Sequence, residues 1–348
     1  MKWFLGFADN GNDEYRAMVK VAVHTAQNNT NLEPWILYDG PENDFSAWLK
    51  DRGVQIVPFQ SSLLNTLRDK GADEGGVSIG RGALLRMHIP EILGQEGIKD
   101  EKFLYTDCDV LFLQNVEPLD NMWPKVLAAC PEHDPLDWSY FNSGVLLMQR
   151  QALEETYEQF CAFFRERYNT TWAFDQDAYN LFYQKDWQKL PLEYNWKPYW
   201  GHNPQARIVH FHGLKPTRLA QVQAGKQGSI AGQFICEAYR FYAQWWFLCL
   251  QEADKKLYAS FEPLPKKEAF NFSERPVDDA RLAEVGRGLM DILVKALKEH
   301  AQTTEVLARC LEEGDDKGIK DAFETNKNHV CWSFMDKSSR AVLCTILV

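Results

Sequence analysis

The stretch Phe103-Leu104-Tyr105-Thr106-Asp107-Cys108-Asp109 decides both the fold and the chemistry expected of this 348-residue chain. An apolar run that ends in two acids predicts a buried β-strand with carboxylates at its carboxyl end. Side chains two residues apart in extended backbone project to the same face, roughly 6.7 Å apart along the strand. Asp107 and Asp109 are therefore candidates to share one hard cation, Mn²⁺ or Mg²⁺. The ordinary alternative is a solvated strand end with two exposed acids.

The residues before this stretch alternate between strand and helix patterns. Apolar runs predict strands at residues 3–8, 34–38, 54–59 and 103–106. Helical spacing predicts helices at residues 13–28 and 84–93, the second bent at Pro90. This rhythm predicts an α/β fold, with a mostly parallel sheet and helices on both faces.

The pattern changes along the second half of the chain. Further strands are predicted at 126–129, 144–148 and 208–211, and further helices at 151–165, 174–183, 234–250 and 278–300. The helix at 234–250 is amphipathic and too short and charged to span a bilayer, so we expect it to be largely buried. A Gly/Gln/Lys-rich linker is predicted at 223–229. We therefore divide the chain into an α/β domain, 1–222, and a helical C-terminal extension, 223–348.

Composition excludes several classes of function. The formal net charge of −11 argues against nucleic-acid binding, which requires a basic surface. The eight cysteines form no CxxC pair, so we expect no zinc cluster but free thiols in a reducing, cytoplasmic compartment. Met1-Lys2-Trp3-Phe4-Leu5 enters a strand at once, so we expect no signal peptide. The C-terminal helices are expected to pack on the α/β domain, to form a homodimer or to touch a membrane surface.

Three further polar segments adjoin predicted strands or helices. They are Asn142-Ser143-Gly144, Asp175-Gln176-Asp177 and His210-Phe211-His212-Gly213-Leu214-Lys215-Pro216. In the third segment, an imidazole can complete a metal shell begun by carboxylates, and the lysine offers a point charge to a phosphate. The ordinary alternatives are a turn for the first segment, a helix N-cap at Asp175 for the second and a core histidine for the third.

Two other places carry candidate residues. Arg86 lies on a mostly apolar helix and must find a partner, either a structural acid or a substrate phosphate. Asp9 and Asn10 follow the first strand, where they are turn residues by default but also stand where a nucleotide base lies in this topology. The aromatic residues Trp196, Tyr199 and Trp200 either stack on an acceptor sugar or belong to the core.

In this order the segments resemble retaining glycosyltransferases of family 8, which have the GT-A fold. The resemblance covers about residues 1–220. It rests on Phe7-Ala8-Asp9-Asn10, Arg86, Tyr105-Thr106-Asp107-Cys108-Asp109, Phe141-Asn142-Ser143-Gly144, Asp175-Gln176-Asp177 and the segment from His210 to Pro216. The chain departs from the family's usual ending, because one residue fewer separates Gly213 from Lys215 and Thr217 stands in place of a Trp.

The resemblance implies a role for each matched residue. A metal ion, Mn²⁺ or Mg²⁺, would be held by Asp107, Asp109 and His210 and would bridge the diphosphate of a nucleotide-sugar donor. The base and ribose would meet Asp9 and Asn10. The donor sugar would be gripped by Arg86, Asn142, Asp175 and Gln176, with the Gln176 amide near the reacting carbon. Gly213 and Lys215 would close on the diphosphate, and Cys108 would also contact the donor.

The expected activity is therefore transfer of a hexose from a UDP-sugar to a glycan or other hydroxyl acceptor, with retention of configuration. The acids Asp175 and Asp177 are the obvious candidates for a nucleophile, and front-face attack by the acceptor without a covalent intermediate is favoured. One alternative is a nucleotidyltransferase, although the loop after the first strand is acidic rather than basic and Gly-rich. Another is a non-catalytic sugar-nucleotide-binding protein on the same fold.

Overall fold

A computed structural model describes residues 1–219 and 236–261, all within one unit, Met1–Glu268. In these residues a seven-stranded sheet forms the centre, and a two-stranded sheet lies beside it. The strands are β1 (Lys2–Ala8), β2 (Glu33–Asp39), β3 (Gln55–Pro58), β4 (Lys102–Thr106), β5 (Val110–Phe112), β6 (Leu127–Pro131), β7 (Phe141–Gln149), β8 (Trp187–Lys189) and β9 (Ile208–His210).

The central sheet has the strand order β3-β2-β1-β4-β7-β6-β8. The first four of these strands run parallel, whereas β7 is antiparallel to both β4 and β6. The chain order reverses between β1 and β4, which is where ligands of open α/β sheets bind, outside the carboxyl ends of the strands. The α/β prediction with a mixed, mostly parallel sheet is confirmed.

Helices cover the sheet on both faces. Side chains alternate across β1, so that Phe4 enters one hydrophobic cluster while Trp3 and Leu5 enter the other. Both clusters are fully buried around β1, which explains its uninterrupted apolar sequence. The helices are α1 (Asp13–Asn29), α2 (Asp44–Asp51), α3 (Leu64–Asp69), α4 (Glu74–Ala83), α5 (Ile89–Gln95), α6 (Arg150–Arg167), α7 (Phe174–Phe182), α8 (Glu237–Ala253) and α9 (Lys255–Tyr258).

Three local predictions were wrong. The helix expected at 84–93 is a 3₁₀ turn, Leu84–His88, followed by α5, and Pro90 lies in the first turn of α5, where its missing N–H costs nothing. Asn142-Ser143-Gly144 is not a turn before a strand but part of β7 itself. Asp175 does not cap α7, because the N-cap position is Ala173 and Asp175 lies inside the first turn.

The described part of the C-terminal extension packs on the α/β domain. One face of α8 buries Tyr239, Tyr242 and Trp246 in a cluster that includes Met18 of α1. The ion pair between Lys20 Nζ and Asp254 Oδ2, 2.6 Å apart, ties the two elements together at the end of α8. The division at residue 222 stays a prediction, and the linker at 223–229 and the helix at 278–300 lie outside the described residues.

Two further properties follow from the described residues. Within them, no helix combines the length and the apolar character that crossing a bilayer requires. Their five cysteines, at positions 108, 130, 161, 236 and 249, are free thiols.

We expect Trp246→Ala to lower the free energy of unfolding by about 3–5 kcal/mol, because it empties a fully buried site between α8 and α1. Trp246 Nε1 has no hydrogen-bond partner among the described residues, so the loss measures packing. Trp245→Ala is the matched control, since Trp245 is 48% exposed. Urea unfolding of both variants is the measurement. Equal losses would contradict the docking of α8 on α1.

Candidate active site

The pairing of β5 with β9 assembles the candidate metal centre. Asp107 follows β4 and Asp109 directly precedes β5. In the antiparallel register of the small sheet, Val110 lies opposite His210, and Phe211 N donates to Asp109 O over 2.9 Å. This pairing places the imidazole of His210 beside both carboxylates, although about a hundred residues separate them in the sequence.

The three predicted ligands converge. His210 Nε2 lies 3.2 Å from Asp109 Oδ1 and 3.9 Å from Asp107 Oδ2. The three ligand atoms all lie within 4.8 Å of one another. Two carboxylate oxygens and one imidazole nitrogen form a donor set that suits a hard or borderline divalent cation. The residues present therefore fit the Mn²⁺ or Mg²⁺ that the resemblance implies.

Asn195 sets the orientation of the imidazole. Its Oδ1 lies 2.9 Å from His210 Nδ1, and its Nδ2 donates to Asn142 Oδ1 over 3.0 Å. Because the amide nitrogen of Asn195 donates to Asn142, the amide oxygen faces the His210 ring. This oxygen accepts a hydrogen bond from Nδ1–H. The lone pair of Nε2 then points at the two carboxylates, which is the arrangement of a metal-binding histidine. The sequence analysis missed Asn195, a single polar residue between Tyr194 and Trp196.

Gly144 leaves the space that the ligands occupy. A Cβ at this position would lie 2.2 Å from His210 Cε1 and 2.8 Å from Asp107 Oδ2. The Gly144 carbonyl also accepts from Asp107 N over 2.7 Å, so β7 holds the backbone of the first ligand. Glycine is therefore required at position 144, because the side chains of His210 and Asp107 approach its Cα closely.

Arg86 holds two carboxylates in a buried site. Its Nη2 lies 2.9 Å from Asp107 Oδ1, and its Nε lies 3.0 Å from Asp175 Oδ2. The guanidinium stacks 4.7 Å from the ring centroid of Tyr105, whose hydroxyl donates to Asp107 Oδ1 over 2.9 Å. Burial alone would lower the pKa of Arg86, but Asp107 and Asp175 raise it. The sequence left two kinds of partner open for Arg86, a structural acid or a substrate phosphate. The structure shows two acids, Asp107 and Asp175.

Asp175 carries an unsatisfied oxygen. Its side chain is buried, and the contact from Arg86 does not have the angle of a hydrogen bond, so Oδ2 has no hydrogen-bond partner among the described residues. Burial raises the pKa of Asp175 to about 7, against the opposing charge of Arg86. A buried acceptor without a donor is costly, and the ion pair with Arg86 offsets part of this cost.

Gln176 and Asn142 form one network with β7. Gln176 Oε1 accepts from Ser143 N over 2.9 Å and from Asn142 Nδ2 over 3.2 Å. Asn142 Nδ2 also donates to Glu132 Oε2 over 2.8 Å. Asn142, Asp175 and Gln176 are therefore brought together near Arg86, and Glu132 is a member of this network that the sequence analysis missed.

A cavity of about 300 Å³ opens between the ends of β1 and β4. Part of its wall comes from Gly82 and Ile79 of α4 and from Tyr15 of α1. Of the predicted donor-binding residues, six line it: Asn10, Arg86, Asp107, Cys108, Asp109 and Lys215.

Asp9 has a structural role beside this cavity. Its carboxylate accepts from Arg16, from Tyr38 Oη over 2.7 Å, from Asn43 Nδ2 over 2.9 Å and from Gly11 N over 3.0 Å. Burial alone would raise its pKa, but the hydrogen bonds from Arg16, Asn43 and Tyr38 outweigh it and lower the pKa to about 2. Asp9 thus fixes the loop after β1, and Asn10 is the neighbour that reaches the cavity.

Lys215 closes the site opposite Arg86. Its ammonium contacts the Asp109 carboxylate and donates to Phe211 O over 3.1 Å. Burial would raise the pKa of Asp109, but Lys215 and His210 hold it well below its usual range. Gly213 has a φ of +84°, a left-handed conformation that glycine adopts without strain and that turns the chain back toward Asp109.

We expect Gly144→Ala to weaken divalent-metal binding by roughly 10- to 100-fold, the range found when support of a metal ligand is lost. The added methyl group must displace the imidazole of His210 or the carboxylate of Asp107. Titration with Mn²⁺ followed by electron paramagnetic resonance measures the affinity. Gly94→Ala is the matched control, because a Cβ there meets no atom within 4 Å. Unchanged affinity in Gly144→Ala would contradict the proposed ligand positions.

We expect Asn195→Leu to weaken Mn²⁺ binding by a similar factor, roughly 10- to 100-fold, because the imidazole loses the acceptor at Nδ1. Asn195→Asp keeps that acceptor and loses only the donor to Asn142, so it should retain more of the affinity. The same titration compares the two variants. A larger loss in Asn195→Asp than in Asn195→Leu would argue against a role of Asn195 in orienting the imidazole.

Comparison with known proteins places this site in context. None of the curated proteins matches the chain. The galactosyltransferase LgtC, solved with donor and acceptor sugar analogues, is 17% identical over 77% of this chain and 98% of its own, with a TM-score of 0.51. The bifunctional glycosyltransferase WbbM is 13% identical over 74% of this chain and 51% of its own, with a TM-score of 0.50. These likenesses show a shared fold.

The glycosyltransferase GlyE of Streptococcus pneumoniae TIGR4, in its apo form, is 16% identical over 76% of this chain, with a TM-score of 0.48. The present chain spans 65% of the length of GlyE. The family described as Glycosyl transferase family 8 matches residues 11–217, more than half of the chain and nearly all of the described α/β domain. The chain belongs to glycosyl transferase family 8.

Proposed function

We propose that this chain transfers a hexose from a nucleotide-sugar, a UDP-sugar, to a hydroxyl group of a glycan or other acceptor, with retention of configuration. The observation that carries the proposal is the convergence of Asp107, Asp109 and His210 at the edge of a cavity that Lys215 also lines. A diphosphate needs positive charge at this point, and the donor set supports a divalent cation there. Family membership supports sugar transfer over nucleotidyl transfer or binding alone.

The diphosphate end of the donor is assigned to the metal centre. When bound, Mn²⁺ or Mg²⁺ supplies Lewis-acid charge to the diphosphate oxygens. Lys215, which pairs with Asp109, is proposed to turn its ammonium toward the leaving phosphate and to stabilise the charge that develops there. The turn at Gly213 gives this segment the backbone freedom to follow the phosphate.

The sugar end is assigned to the network around Arg86. Asp175 is proposed to accept a hydrogen bond from a sugar hydroxyl, and the ion pair with Arg86 keeps its carboxylate in place. Asn142 of β7 and Gln176 of α7, which are hydrogen-bonded to each other, are assigned to the same end of the donor. Asn10 lines the other end of the cavity, where we place the nucleoside. The Gln176 amide is proposed to lie near the anomeric carbon, as in the resemblance.

Retention is proposed to proceed by front-face attack. The bond from the anomeric carbon to the phosphate oxygen breaks, the bond to the acceptor oxygen forms on the same face, and the acceptor proton passes to the departing phosphate. Both oxygens of Asp177 are already engaged, by Tyr140 Oη over 2.9 Å and by Ala173 N. Asp175 is held by Arg86. These contacts favour an oxocarbenium-like transition state over a covalent intermediate.

The cellular compartment and the binding partners of the enzyme are also proposals. The free thiols of the described residues support a reducing compartment, which we take to be the cytoplasm. The acidic net charge of −11 supports the absence of a nucleic-acid partner. A homodimer or a peripheral membrane contact through the C-terminal helices stays a prediction.

We expect Asp109→Asn to lower kcat/KM for nucleotide release by roughly 100- to 1,000-fold in a screen of UDP-sugars with Mn²⁺, because the cation loses a charged ligand. Asp51→Asn, at the exposed end of α2, is the matched control and should keep full activity.

The product distinguishes the parts of this proposal. Nuclear magnetic resonance of the new linkage should show the anomeric configuration of the donor. An inverted linkage would contradict retention, and a glycosyl adduct trapped on Asp175 would contradict front-face attack. Metal-dependent binding of UDP-sugars without turnover would support the non-catalytic alternative. Equal activity of Asp109→Asn and wild type would remove the metal centre from the mechanism.

A further inference from the structure

A second group of metal-ligand side chains lies beside the candidate active site, and only Glu132, through Asn142, contacts the network assigned to the donor sugar. His212 Nε2 lies 2.9 Å from Glu132 Oε1, and His133 Nε2 lies 3.9 Å from the same oxygen. One ligand atom from each residue lies within 4.8 Å of the other two. We call Glu132, His133 and His212 the histidine cluster. It offers two imidazole nitrogens and one carboxylate oxygen.

The backbone that carries the first two members of the cluster is firmly held. The carbonyls of residues 131–133 each accept a hydrogen bond from one short segment of the chain. The donors are Lys197 Nζ over 2.7 Å, Tyr199 Oη over 3.3 Å and Trp200 Nε1 over 2.6 Å, in that order. The polar atoms of Tyr199 and Trp200, which the sequence suggested for stacking on an acceptor, thus support this loop.

The side chains are also oriented from behind. Asn142 Nδ2 donates to Glu132 Oε2 over 2.8 Å, which leaves Oε1 to face the histidines. His212 Nδ1 lies 2.9 Å from Tyr199 Oη, which leaves Nε2 to face Glu132. Such contacts to the far atom of a ligand are a regular feature of metal sites.

An ion pair between Glu132 and His212 would explain part of this arrangement. It does not account for the imidazole of His133, which is 68% exposed, yet lies 3.9 Å from the same carboxylate oxygen, with its ring centroid 5.3 Å from that of His212. The exposure of His133 also leaves one side of the cluster open to solvent, as in a site that keeps a position for water.

We propose that Glu132, His133 and His212 form a second metal site, which binds a borderline transition metal of the Zn²⁺ type. Two imidazoles and one carboxylate are a common ligand set for Zn²⁺, whereas the centre of Asp107, Asp109 and His210 is richer in oxygen and suits Mn²⁺ or Mg²⁺. The site joins the loop after β6 to the segment after β9, and its existence does not depend on the proposed sugar transfer.

The test is a Zn²⁺ titration by calorimetry on the full chain. Asp109→Asn serves as the background, because it weakens the other metal centre. We expect Asp109→Asn to bind one Zn²⁺, and we expect adding His133→Ala to weaken that binding at least 10-fold. His133 is exposed, so its replacement should not affect folding. His212→Gln in the same background should give a similar loss.

His24→Ala is the matched control. The imidazole of His24 also pairs with a carboxylate, Glu252, over 3.1 Å, but no third metal ligand among the described residues joins them. This variant should bind Zn²⁺ as its background does. Equal Zn²⁺ affinity in the His133→Ala and His24→Ala variants would overturn the inference. The proposed function is tested separately, by nucleotide release with Mn²⁺, so either proposal can fail while the other stands.

Discussion

The pairing of the short strands β5 and β9 is the constraint on which the site depends. Each strand has only three residues, yet their register sets Val110 against His210 and so brings a histidine to two acids from a distant part of the chain. Because side chains alternate along a strand, a slip of one residue would turn His210 away from the acids. Packing of Leu111 and Val209 against α8 and α1 holds this register.

Charge balance is the second organising feature. Arg86 lies between Asp107 and Asp175, and Lys215 lies against Asp109, so each buried acid of the site has a basic partner. Removing one member would leave a buried charge unpaired, which is far more costly than losing an exposed ion pair. A bound cation would compete with Lys215 for Asp109, and this competition would leave the ammonium available to a phosphate.

The sequence predicted the strands β1, β2 and β4 and helix α1 because each has a clear apolar pattern. It placed Asp107, Asp109 and His210 together only through a resemblance, since strand pairing is not visible in local periodicity. Asn142-Ser143-Gly144 looked like a turn because polar residues rarely occupy a buried strand. Tertiary partners, including Gln176 and Glu132, make it possible, and no local pattern reveals them. Asn195 was missed for the same reason.

Buried polar groups in the described residues are nearly all satisfied, and the exceptions are therefore informative. Asn142, Gln176, Asn195 and His210 form a continuous chain of hydrogen bonds that fixes the ligand geometry. Only two buried side-chain atoms in this part of the protein lack a hydrogen-bond partner, Trp246 Nε1 and Asp175 Oδ2. The first lies in a helix contact, where packing offsets the loss. The second lies 3.0 Å from Arg86 Nε, where the ion pair offsets the missing hydrogen bond.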